Sequence, residues 1–237
     1  MEALIEWGLP PHKLVFILSS VVAFAWLPAG LGKWLWGLIV WFVVLNVVFL
    51  LPVGFWTPQE NPWIFLLLCH GFWLAILADF IFKGKLGPVI QALPYRQILL
   101  FEVSRLMAFH FLLAARSGDA PLEFAVEAAL GEILTGTCAL VLYTLGKNPG
   151  VGFRMGLLVW NTYGLSSLVA IYFKLHFSNP FLERARFSRE IFQFMTESPE
   201  AWMPFFWMPL GIAIHLSIYY KLVQERLKPE QPVSISF

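Results

Sequence analysis

The stretch YRQILLFEVSRLMAFHFLLAAR, residues 95–116, decides how the rest of this chain is read. Between Arg96 and Arg116 the run is long enough, at about 1.5 Å of helical rise per residue, to cross a hydrocarbon layer of about 30 Å. Yet Glu102, Arg105 and His110 are embedded in it. An ionisable side chain in hydrocarbon costs a few kcal/mol or more unless a partner or water receives it, so such residues mark inward-facing positions.

Working outward, the same apolar run length recurs along the chain. Spans are expected at about 13–28, 33–55, 62–82, 95–115, 121–145, 155–177 and 201–222. Turn chemistry separates them, as in Pro28-Ala29-Gly30, Ser117-Gly118-Asp119 and Asn148-Pro149-Gly150. Trp34, Trp36, Trp56, Trp63 and Trp202 fall near span ends, where an amphipathic ring suits the headgroup layer. Composition agrees: 59% of residues are hydrophobic and 13% charged, against about 25% charged in a soluble domain. Mean hydropathy is +0.71. The expected fold class is therefore all-α, a polytopic transmembrane bundle of about seven helices over residues 1–225, with 226–237 as a cytoplasmic tail. Leu14 to Ala25 has an apolar run and an Ala-Phe-Ala end, but Glu2 and Glu6 make a poor signal-peptide start, so it reads as a retained first helix.

Basic residues set the expected orientation. Connectors on one side carry Lys33, Lys83, Lys85, Arg96, Lys147, Arg154, Lys221, Arg226 and Lys228; the other side carries Lys13, Arg116, Arg184, Arg186 and Arg189. The positive-inside rule then places the N-terminus outside and the C-terminus in the cytoplasm. The longest connector, about 178–200, holds Phe181-Leu182 and Ile191-Phe192 among charges and predicts an amphipathic helix on the membrane surface. A net charge of +1 without a basic patch excludes a nucleic-acid partner. Cys69 and Cys138 lie in apolar runs and read as small core residues.

The polar residues inside the spans form the candidate site. Glu102 and Arg105 stand three apart on one helical face. Glu132 lies in Gly131-Glu132-Ile133-Leu134-Thr135-Gly136, whose small residues allow a neighbouring helix to approach. Asn161 and His215 occupy the sixth and seventh spans, and Asp79, His70, Glu127 and His176 lie elsewhere in the runs. Counting helical rise from the cytoplasmic ends puts Glu102, Asn161 and His215 at about 9–10 Å depth, Arg105 at about 15 Å and Glu132 at about 18–20 Å. With five donors, Arg105 can bridge Glu102 and Glu132. The bland role for these residues is an ion pair that holds helices in register, with His215 bonded to Asn161 or a backbone carbonyl.

Several of these residues carry a resemblance to an uncharacterised family of small bacterial multi-pass membrane proteins. It rests on Gln97 and Arg105, Gly131-Glu132-Ile133 with Gly136, Trp160-Asn161 with Gly164-Leu165, and Pro209 followed by His215, over about 95–222. In that family's pattern an Asp commonly stands where this chain has Glu132. The resemblance implies no activity.

Function classes narrow accordingly. The last span holds only Lys221, at its end, which argues against a retinal protein, and HExxH, Walker A and dinucleotide fingerprints are absent. The leading expectation is an integral membrane protein with a polar intramembrane site for small-solute or proton transport, rather than an enzyme. Pro204 and Pro209 free backbone carbonyls beside that site. One alternative is a non-catalytic subunit of a membrane complex, binding neighbouring subunits, lipid, quinone or pigment. Another is a haem-binding cytochrome, or a chlorophyll-type pigment protein, using His70 and His110 at comparable depth.

Overall fold

The computed structural model describes residues 10–25, 86–146, 150–178, 189–196 and 200–227, with short pieces at 36–37, 39–43, 70–71, 74–75 and 78–79. Every regular element among the described residues is helical, and they pack as a bundle. Helix α1 (Pro11–Ala25) starts with proline at its first position, where the missing N–H is not needed. Short α2 (Leu86–Ala92) leads through Pro94 into α3 (Tyr95–Glu102). A 3₁₀ segment, Val103–Ala108, follows, and α4 (Phe109–Ser117) completes one continuous rod. Helices α5 (Leu122–Leu145) and α6 (Val151–Phe177) come next. Then follow α7 (Arg189–Thr196), a π-helical segment Met203–Trp207, and α8 (Met208–Leu227).

Four of these rods are long and apolar enough to cross a membrane: Tyr95–Ser117, Leu122–Leu145, Val151–Phe177 and Met203–Arg226. They correspond to the last four expected spans. Helix α1 covers residues 13–25 of the first, and only pieces of 33–55 and 62–82 are described, so Trp34, Trp56, Trp63 and Cys69 lie outside the described residues. Of the expected tail, α8 includes 226 and 227, and the rest lies outside them.

Helix α5 is the hub, packing against α3, the 3₁₀ segment, α4 and α6. One face explains this. Ala125, Ala128, Ala129, Thr135, Gly136 and Ala139 recur at helical spacing and are buried, so neighbouring backbones come close. A Cβ placed at Gly136 would lie 3.0 Å from the backbone nitrogen of Leu106. The opposite faces of α5 and α6 show Leu130, Leu134, Val141, Met155 and Val159 to the exterior.

Two apolar clusters fill the bundle. One gathers Phe16, Phe111, Phe124, Phe192, Phe205 and Phe206; the other gathers Leu99, Leu142, Phe153, Leu157, Trp160 and Ile218. Helix α7 contributes Ile191, Phe192, Phe194 and Met195 to the first cluster, with Phe194 against Phe111 and Phe124. The amphipathic helix expected in the 178–200 connector thus exists, but its apolar face is docked on the bundle. Trp202 is likewise packed on Phe16 and Phe42 rather than standing alone at an end.

Candidate functional site

Between the two apolar clusters lies a layer of polar side chains, one or two from each long helix. The last residue of α3 and the 3₁₀ segment that follows supply the first pair. At three residues per turn, side chains i and i+3 eclipse, so Glu102 and Arg105 stand directly above one another. Both point toward α5, α6 and α8, and both are buried, as are Glu132, Asn161 and His215.

Arg105 is the centre. Its Nε donates to Glu132 Oε2 at 2.7 Å and its Nη2 to Glu132 Oε1 at 2.5 Å, a forked pair between two helices. Nη1 donates to His215 Nε2 at 2.7 Å and to Glu102 Oε2 at 3.4 Å. Nη2 also donates to the Gly164 carbonyl at 3.3 Å. All five guanidinium N–H donors therefore have acceptors.

His215 is fixed by its other nitrogen. Because Nε2 accepts from Arg105, the ring proton sits on Nδ1 and is donated to Asn161 Oδ1 at 2.8 Å. Asn161 Nδ2 returns a bond to the His215 carbonyl at 3.0 Å. Ser167 Oγ donates to Glu132 Oε1 at 3.3 Å. Close approach makes this geometry reachable: a Cβ at Gly164 would lie 2.6 Å from the His215 ring and 2.8 Å from the Thr135 methyl.

One acceptor is left over. Glu102 is wholly buried, and its Oε1 has no hydrogen-bond partner. Beside it is a cavity of about 20 Å³, lined by Glu102, Ser104, Arg105 and Glu132 on its polar side. Met203 and Trp207 of the π segment and Leu168 form part of the apolar wall. That is room for about one water molecule.

All five residues singled out from sequence, Glu102, Arg105, Glu132, Asn161 and His215, thus meet in one network. The others lie elsewhere. Glu127 is exposed and pairs with Lys174. His70 packs its ring against Tyr172 and His176, with centroids 5.5 and 4.9 Å away. His110 bonds the Met107 carbonyl through Nδ1 and packs against Phe16 and Phe111. The two histidines considered for haem therefore have different ring neighbours. No group of three or more His, Cys, Asp or Glu suited to a metal ion occurs among the described residues.

Sequence reading missed Ser167, Ser104 and the role of the Gly164 carbonyl. The signal was present for two of them, since Gly164 and Ser167 follow Asn161 at intervals of three on α6. It also missed a second cluster. Buried His12 places Nδ1 3.6 Å from Asp119 and Nε2 3.5 Å from Glu200, and Lys13 lies 3.6 Å from Glu200. Burial pushes the His12 imidazole below the usual histidine range, against the upward pull of Asp119 and with a smaller downward push from Lys13. Glu200 was assigned to a surface connector, and nothing in its local pattern announced its burial.

No curated protein and no solved structure matches the chain. A family sequence pattern does, over residues 62–223, and it is described as a domain of unknown function. The match takes in every residue of the network. Since it covers about two-thirds of the length, the chain belongs to the domain of unknown function family DUF8737.

Proposed function

We propose that this chain is a multi-pass protein of a bacterial cytoplasmic membrane, with about seven spans, an outside N-terminus and a cytoplasmic C-terminus, in which the Arg105-centred network serves small-solute or proton transport. Polarity supports the bilayer reading: the charged and amide groups of the network are inside, while Leu130 and Val159 are 62% and 64% exposed on the outer faces of α5 and α6. The observation that carries transport is the unpartnered Glu102 Oε1 beside a cavity. A lock that only held helices in register would gain by satisfying that oxygen.

The test is flux in proteoliposomes of phosphatidylethanolamine and phosphatidylglycerol, with a lumenal pH-sensitive dye and an imposed pH gradient. Wild-type protein should conduct protons, and Glu132→Gln and Arg105→Ala should abolish the flux. Flux that both variants leave unchanged sinks this reading.

A second reading is a non-catalytic subunit of a membrane complex. The saturated guanidinium and the small size of the cavity favour it, as do the bare apolar faces of α5 and α6. Co-purification with other subunits at fixed stoichiometry after mild detergent extraction would support it; a stable lone monomer would count against it.

A further inference from the structure

The charges of the network do not balance. Arg105 contributes one positive charge, and Glu102 and Glu132 two negative ones. His215 is neutral, because a nitrogen that accepts from a guanidinium carries no proton. Asn161, Ser167 and the Gly164 carbonyl add none. The charged groups acting on Glu102 are Arg105 and Glu132. With both carboxylates ionised, a wholly buried layer between two apolar clusters would hold a net negative charge, a costly arrangement that uptake of one proton relieves.

Geometry decides which carboxylate takes it. Both oxygens of Glu132 accept from the guanidinium fork, so a proton there would displace a short charge-assisted bond. Glu102 meets Arg105 with Oε2 at the longer distance of 3.4 Å, leaves Oε1 without a partner, and is one of the residues that line the cavity. We propose that Glu102 Oε1 is the binding site for one exchangeable proton, reached through the cavity beside the π segment. This deepens the transport reading and rests on it only for the claim that the proton crosses the bilayer. The step balances simply: hydronium gives its proton to the Glu102 carboxylate, an O–H bond forms, water is left, and the layer becomes neutral.

The same cavity disfavours a metal cation. A hard cation of the calcium or magnesium kind takes about six or more oxygens. Here the polar lining is Glu102, Ser104, Glu132, whose two oxygens are held by Arg105, and Arg105 itself. The guanidinium on the same wall repels a cation, whereas a proton needs one lone pair.

The experiment is infrared difference spectroscopy of the full chain in phosphatidylethanolamine–phosphatidylglycerol liposomes during a pH titration. Wild-type protein should show the carbonyl stretch of a protonated carboxylic acid, shifted by deuterium exchange and titrating as one proton. Glu102→Gln mimics the protonated side chain, so it should fold and lose the band. Glu132→Gln should lose it as well, because Arg105 is then matched by a single carboxylate and Glu102 ionises. A band that survives Glu102→Gln, or its absence from the wild type at every pH where the protein is folded, overturns the proposal. Loss of the band on replacing potassium chloride by sodium chloride overturns the choice of proton. A titrating band in protein that conducts nothing upholds the Glu102 site and removes the transport reading alone.

Discussion

Arg105 binds four residues from three other helical stretches and its own, and its removal would leave Glu132 and Glu102 buried without their cation. We expect Arg105→Ala to lower unfolding free energy by about 3–5 kcal/mol. Adding Glu132→Leu to Arg105→Met should cost less than the sum of the two changes, with a coupling of about 1–3 kcal/mol in chemical unfolding from detergent. Additive effects would mean that the forked pair is not energetically real. Gly164→Ala should cost about 1–3 kcal/mol by overpacking, read as a lower melting temperature, because its methyl meets the His215 ring. At this scale the sequence was informative about identity. An Arg and two Glu inside apolar runs have few stable placements except together. Ser104 was not legible, since a serine in an apolar run needs no ionic partner and gives no alarm.

Two irregular elements place those residues. The 3₁₀ segment aligns Glu102 with Arg105, and the π segment forms the cavity wall. The π segment has a local cause. Pro209 has no N–H for the Phe205 carbonyl one turn back, and its ring crowds that carbonyl. The indole Nε1 of Trp41 donates to the Phe205 oxygen at 3.2 Å. Pro209→Ala should let residues 203–207 tighten toward α-helix, slow amide exchange there, and change stability by no more than about 1 kcal/mol. Unchanged exchange across 203–207 would clear Pro209 as the cause. The prolines made a freed carbonyl foreseeable from sequence. The 3₁₀ segment was not, because Val103 to Ala108 carries no breaker, and its winding follows from packing against α5.

For the molecule as a whole, the described helices enclose a polar layer between two apolar clusters, with His12, Lys13, Asp119 and Glu200 tying α1 to the turn after α4 and to the residues before the π segment. Folding lowers the His12 value from the usual 6.5, so below that pH the unfolded chain binds more protons than the folded one. Stability should therefore fall as pH drops through 6.5 toward the folded value, seen as a declining melting temperature. His12→Phe should flatten that part of the profile; an unchanged slope would assign it to other groups. The sequence by itself determined the helical class, the long apolar rods and which polar residues could not face lipid, because run length and solvation cost are local properties of the chain. Only the tertiary structure decided that Glu102, Arg105 and the three others meet, that α7 docks on the bundle, and that Glu102 keeps one oxygen open. Those depend on how each helix is rotated and how closely glycines such as Gly164 let neighbours approach, and rotation is set by contacts between distant residues.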